Sequence, residues 1–266
     1  MKEVLKASGE YENFNPRKIY ETVIATGASK QLAKETVSLI KRNYYKGITT
    51  KEILNMILEN IKKVPGLEQR YDLKRAIMSL GPSGFPFEQY FARILENYGY
   101  KTKVANLMKG KRIWHEVDIV AEKKDKTYMV ECKYHNLIGT NTKLHPAMYT
   151  YARFLDINLF DAPWLATNTK CVNDAIEYAK GVGLKITSWN YPEKESLRKL
   201  IEDKNLYPIT VLKNVKRKTI EKLLELNLVL ADDILKEDSY ELSKELNISE
   251  NEIEKMKQQI KEIYRN

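Results

Sequence analysis

The stretch Trp114–His135, WHEVDIVAEKKDKTYMVECKYH, restricts the chain more than any other. Its two runs, Ile113–Ala121 and Thr127–Tyr134, are β-branched and aromatic, and the polar Lys123–Lys126 between them predicts a β-hairpin. Side chains alternate across a strand, so Glu131 and Lys133 share one face and Cys132 takes the other. Those two charges interrupt Tyr128, Met129 and Val130, which otherwise read as a buried strand, and buried charges need partners. With Asp118 on the same side, two carboxylates and an ammonium converge at one end of a sheet. The blander alternative is a solvated Glu131–Lys133 pair on an edge strand.

The convergent arrangement has a definite chemistry. A hard cation such as Mg2+ (or Mn2+) takes oxygen ligands and is usually held by one or two carboxylates plus substrate phosphate. Asp118 and Glu131 supply such oxygens, and the Cys132 carbonyl can add a third. A cation held there lowers the pKa of bound water and offsets charge on a phosphate, while Lys133 orients water or stabilises developing negative charge. The product is a cut phosphodiester.

Asp118, twelve residues, then Glu131-Cys132-Lys133 resembles the PD-(D/E)xK nuclease superfamily, and the Cys-Lys-Tyr ending is similar to its Mrr-type restriction endonuclease branch. Members often carry Gln where Glu131 stands, and the usual proline before the aspartate is Val117 here. The resemblance covers roughly residues 85–192. It implies Asp118 and Glu131 as metal ligands, Lys133 as the catalytic lysine, and Glu88, in FPFEQYFARILENYG, as an accessory acid.

At 266 residues the chain should hold two or three domains. It is 43% apolar and 30% charged, with no apolar run near the ~20 residues of a membrane span and no signal-peptide core in MKEVLKASGE, so a cytoplasmic protein is expected. Cys132 and Cys171 fit a reducing compartment, and no Cys/His cluster suggests zinc. The net charge of +9 is uneven: residues 1–80 carry +6, residues 81–200 carry +5 and residues 201–266 carry −2. Attraction to phosphate therefore resides in the first two segments.

Residues 2–14 read as a hairpin turning at Ser8 and Gly9, followed by a helix capped by Asn15 with Pro16 in its first turn. Helices are predicted over 31–45, over 50–64 with Thr50 as cap, and over 67–80. VLKASGEYENFNPRKI, GITTKEIL and RYDLKRAI together are similar to an ATP-cone, a nucleotide-binding regulatory module. The resemblance implies ATP or dATP as effector, with Lys6, Glu12, Asn15, Lys18 and Thr50 as contacts. A lysine in the first helical turn suits phosphate oxygens at a helix N-terminus. Two positions depart from the pattern, Ala7 where a basic residue is expected and Leu54 where a histidine is.

Gly81-Pro82-Ser83-Gly84 is the compact linker and sets the first expected boundary. An amphipathic helix over 85–98 with Phe87, Phe91, Ile94 and Leu95 inward precedes a strand over 100–107 and the hairpin. Residues 135–144 read as a substrate-facing loop. A helix over 145–160 should bury Met148, Tyr151, Ala152 and Leu155, leaving Tyr149 and Arg153 outside, where they can meet a phosphate and an unpaired base or serve as surface packing. A strand, a helix over 172–181 and a strand complete an α/β unit whose right-handed crossover joins the hairpin's sheet. Residues 192–205 read as a link to a helical tail that is similar to a degenerate helix-hairpin-helix module, capped at Ser249. Asn214 and Lys216 replace its glycines, and Lys213, Lys216, Arg217, Lys218 and Lys222 form a basic cluster.

The expected fold class is α/β, a restriction-endonuclease-like mixed sheet flanked by helices. The expected domains are an ATP-cone-like one at 1–80, a nuclease-like one at 85–192 and a helical one at 205–266. The expected activity is Mg2+-dependent endonucleolytic cleavage of double-stranded DNA under nucleotide control, with a homodimer as an allowed assembly. The alternative is a non-cleaving, nucleotide-responsive DNA-binding protein; a junction or RNA nuclease shares the chemistry.

Overall fold

A computed structural model describes residues 2–6, 9–137 and 139–264. The chain divides into two compact units, residues 1–73 with 254–266, and residues 74–253. The division thus falls at Leu73/Lys74, whereas the sequence suggested a boundary at Gly81–Gly84. Ala7, Ser8 and Ile138 lie outside the described residues, so the turn expected at Ser8 is only partly described.

In the first unit β1 (Glu3–Leu5) pairs antiparallel with β2 (Tyr11–Asn13), and α1 (Pro16–Ile24) follows. Asn15 Oδ1 accepts from the Lys18 amide at 3.1 Å, satisfying one of the helix's free donors. Helix α2 (Lys30–Arg42) is capped by Ser29. The cap of α3 (Thr50–Ile61) is Thr49, not Thr50: Thr49 and Glu52 exchange the reciprocal bonds of a capping box, and Thr50 is the first helical residue. The single helix expected over 67–80 is two pieces, α4 (Leu67–Tyr71) and α5 (Leu73–Met78). Val4, Ile19, Val23, Ile40, Ile53, Ile57 and Ile61 form the unit's core. Residues 254–264 belong to this unit. Gly66, at φ 81°, lies against them, and a Cβ there would come within 2.5 Å of the Glu262 carbonyl, while Arg70 Nε donates to the Ile263 carbonyl at 3.0 Å.

The second unit holds α6 (Phe85–Asn97), then β3 (Lys101–Lys109), β4 (Trp114–Lys123) and β5 (Lys126–Lys133). A short β6 (Asn141–Thr142) leads to α7 (Leu144–Ile157), followed by β7 (Ala162–Thr167), β8 (Lys170–Cys171), α8 (Asn173–Val182) and β9 (Lys185–Thr187). The five-stranded sheet runs β3-β4-β5-β7-β9, antiparallel through β5 and parallel beyond it. Parallel pairs require crossovers, which α7 and α8 provide. Phe87, Phe91, Ile94 and Leu95 are buried, as α6's periodicity predicts, and Phe91 meets Trp164 edge-on at 5.8 Å.

Two expectations fail here. Helix α7 buries Ala147, Thr150, Arg153 and Ile157, while Met148 and Leu155 are exposed, so the expected inward face is turned away and Arg153 points in. The loop before α7 is anchored at its far end: Thr142 is fully buried and its hydroxyl lies 2.8 Å and 2.9 Å from those of Thr167 and Thr169. The supposed link 192–205 contains α9 (Leu197–Lys204), capped by Ser196 and burying Leu197, Leu200 and Ile201. A 3-10 turn (Ile209–Val211), α10 (Arg217–Glu225), α11 (Asp233–Lys236), α12 (Ser239–Leu246) and α13 (Glu250–Tyr264) complete the chain. Ser249 caps the last of these through a reciprocal pair with Glu252. No helix among the described residues is long and apolar enough to cross a membrane.

Candidate active site

Asp118 sits where the pairing of β4 lapses on both sides. The β3–β4 ladder steps from Val104↔Ile119 to Asn106↔Val117 and skips Ala105, whose φ is 53°. The β4–β5 ladder ends at Ile119↔Val130, one step before Asp118 would oppose Glu131. In place of that backbone pair, Asp118 Oδ2 accepts the Cys132 amide at 2.6 Å. A buried amide must be satisfied, and here the aspartate does it, which opens the strand pair beside its own carboxylate.

Around this opening Glu88, Glu116, Asp118, Glu131, Lys133 and Arg153 act on one another electrostatically. Burial, then Asp118 and Glu116, push Glu88 up to about 7. Burial, then Asp118, push Glu131 up to about 7, against the pull of Arg153 and Lys133. Burial also raises Asp118, against the bond from the Cys132 amide. Desolvation and mutual repulsion penalise the ionised forms together. Cys132 points to the opposite side, and burial pushes its thiol well up. Four residues expected from sequence, Glu88, Asp118, Glu131 and Lys133, therefore share one neighbourhood.

Two members were missed. Glu116 precedes Asp118 by two residues on the same strand, and the alternation that singled out Glu131 and Lys133 would have singled it out too. Arg153 was assigned to an outer face, yet its side chain is only 8% exposed, and its Nη1 donates to Glu131 Oε2. Its guanidinium lies 5.1 Å from the Tyr149 ring centroid, and its Nε is buried with no hydrogen-bond partner among the described residues.

The donor set suits a hard divalent cation. It is all oxygen, and burial makes ionisation of the Asp118 and Glu131 carboxyls costly, a cost that a bound cation would offset. Among the described residues no group of three or more His, Cys, Asp or Glu is arranged to hold a metal, so any cation would rest on two carboxylates and fill its sphere with water and substrate oxygens.

The residues expected to meet a nucleotide cluster in the first unit. A cavity of about 210 Å3 is lined by Glu12, Asn15, Lys18 and Thr50, with Ile53 and Tyr71 in its wall. Lys6 is not in the lining; its Nζ lies 3.2 Å from Glu12 Oε2, and Lys18 Nζ lies 3.3 Å from Glu12 Oε1. The two lysines hold the Glu12 carboxyl below its usual range. In the basic cluster of the tail, Arg217 is paired with Glu221, and Lys222 reaches the Leu246 carbonyl. Asn214 adopts φ 59°, a conformation glycine also favours.

Residues 81–195 match the restriction endonuclease family model, and residues 207–264 match the model described as AF1548-like, C-terminal. An uncharacterized protein of Archaeoglobus fulgidus is 45% identical over 146 residues, which is 54% of this chain and 83% of that protein. The crystal structure of AF1548, a protein of unknown function, superposes with a TM-score of 0.62 at 37% identity, covering 69% of this chain and 100% of that one. Can2 from Sulfobacillus thermosulfidooxidans, solved with cyclic tetra-adenylate, aligns over 73% of this chain and 64% of its own at 14% identity, with a TM-score of 0.34.

Proposed function

The chain belongs to the AF1548-like family, and from the restriction endonuclease match at residues 81–195 we propose that it is a metal-dependent endonuclease acting on DNA phosphodiesters. The observation that carries this reading is the double lapse of pairing at Asp118, which leaves Asp118 and Glu131 facing one opening with Lys133 beside them.

Asp118 and Glu131 would hold Mg2+ or Mn2+, with the Cys132 carbonyl adjoining. When bound, the cation supplies Lewis-acid polarisation of a phosphate oxygen and a more acidic water. Lys133, at the exposed end of β5, would orient an attacking water or offset negative charge on the phosphate through its ammonium. Glu88 is the accessory acid, near enough for its carboxyl to feel Asp118 and Glu116. Arg153 is a positioning residue that fixes Glu131 Oε2.

The test is nicking of supercoiled plasmid with Mg2+ or Mn2+, comparing wild type with Lys133→Ala and Asp118→Asn. Each variant should lose activity by about 100-fold or more. DNA binding without cutting in wild type and variants alike would favour a non-cleaving DNA-binding protein.

Control by ATP or dATP is a second reading, favoured by the convergence of Glu12, Asn15, Lys18 and Thr50 on one cavity. It requires a nucleotide to bind two states of the protein unequally. Cleavage rates that are the same with ATP, with dATP and with neither would remove it.

A further inference from the structure

The β3–β4 hairpin carries an exposed face that the catalytic reading does not use. Leu107 pairs with Glu116 and Lys109 with Trp114, so these four share one face, and all are exposed. Leu107 is 66% exposed and Trp114 60%. The other face packs away from solvent: Met108 and Val117 join Ile157 and Phe154 of α7 in a small core. At the tip Lys111, Arg112 and Ile113 are exposed, and the Gly110 amide closes the turn onto the Ile113 carbonyl at 2.8 Å.

The arm is braced. Asp156 of α7 meets His115 Nε2 at 2.7 Å and accepts the Lys111 amide. Gly110 lies directly against this pair, and a Cβ there would stand 2.9 Å from His115 Nε2 and collide with the Asp156 carboxylate. An indole left in water at 60% exposure costs hydrophobic free energy unless something covers it.

Charge and position indicate the cover. Lys101, Lys103, Lys109 and Arg112 are in no ion pair among the described residues, and Lys101, Lys103 and Lys109 occupy alternate positions along β3. Lysine is depleted at the centre of protein interfaces, whereas cations interleaved with an aromatic ring are how proteins track a nucleic acid strand. The root of the arm adjoins the proposed carboxylate centre, since Glu116 stands two residues from Asp118 on β4. At about 3.3 Å per strand residue, Trp114 lies roughly 13 Å along β4 from Asp118, a few nucleotides from a phosphate being cut. A continuous duplex offers no base face to an indole.

We propose that Trp114, flanked by Lys109 and Arg112, stacks on an unpaired DNA base, so that the substrate is DNA with single-stranded character beside the cleavage point. This deepens the nuclease reading and rests on it for the role of the stacked strand.

The sequence supplies a direct probe. Of the chain's three tryptophans, Trp164 is 2% exposed and Trp189 8%, so Trp114 is the indole that a ligand can reach. Oligo(dT) titrated into the full-length protein without divalent cation should quench indole emission. Trp114→Phe should abolish the quench, Trp114→Ala should weaken oligo(dT) binding by about tenfold or more, and Lys109→Ala with Arg112→Ala should weaken it and lower its salt dependence. Emission unchanged by oligo(dT), or a quench that survives in Trp114→Phe, overturns the proposal. So does sedimentation showing that Trp114→Ala breaks an oligomer while DNA binding is intact. Metal-dependent nicking of plasmid without oligo(dT) quenching ends the stacking role and leaves the nuclease; quenching without metal-dependent cutting of either plasmid or a duplex with a single-stranded tail leaves the stacking role and ends the nuclease.

Discussion

Arg153 holds the electrostatic balance of the site. It is the cation against which Glu131 is buried, and removing one partner of a buried pair leaves an uncompensated charge. Arg153→Met should therefore destabilise the metal-free protein at pH 8 by roughly 1–3 kcal/mol, less than a rigid buried pair because Glu131 can take up a proton. Chemical denaturation checks this, and Mg2+ should stabilise the variant more than the wild type. Glu88 and Glu131 make a second prediction. In the folded chain they keep protons up to about pH 7, against a usual value of 4.5. Below 4.5 they are neutral in both states; as pH rises through 7 the folded state must hold their charge, so stability falls across that window. Glu12, Glu52 and Asp156 are shifted downward and act below 4.5, outside it. The metal-free unfolding free energy, measured in urea, should fall between pH 5 and pH 8, and Glu88→Gln should reduce the fall by on the order of 1 kcal/mol, discounted for the half-exposed side chain.

Among the elements, the local signals that were read correctly are those whose partners lie within a turn or two. Asn15 and Ser249 cap the helices that their spacing predicts. Thr49 rather than Thr50 caps α3 because only Thr49 has a glutamate three residues on, at Glu52. Thr49→Ala should cost about 1 kcal/mol in urea unfolding and Thr50→Ala less than half of that. The face of α7 was not legible: apolar residues surround that helix, and the choice fell to Arg153 meeting Glu131, on a strand twenty-two residues earlier. The hairpin arm gives a further prediction at this scale. Gly110→Ala should force Asp156 off His115 and loosen the tip, lowering oligo(dT) affinity while plasmid nicking by the carboxylate centre persists.

In the whole molecule, the nucleotide reading predicts that Lys18→Ala removes any thermal stabilisation by ATP or dATP, measured as a shift in melting midpoint. The separation into compact units was only partly legible. Gly81–Gly84 carries the strongest turn composition, yet the chain divides at Leu73/Lys74, and residues 254–264 pack with the first unit. A linker signal reports local backbone preference, whereas a compact unit is defined by which distant segments bury one another. The sequence by itself determined the β4–β5 hairpin, the strand-helix-strand unit after it, the amphipathic α6 and the identity of Asp118, Glu131 and Lys133 as a candidate set, because periodicity and alternation are properties of neighbouring residues. Only the tertiary structure decided that Asp118 takes the Cys132 amide, that Arg153 turns inward, that Glu116 joins the carboxylates and that Trp114 stays in solvent. Each of those depends on desolvation and on partners from other elements, and burial cannot be computed from one stretch of chain alone.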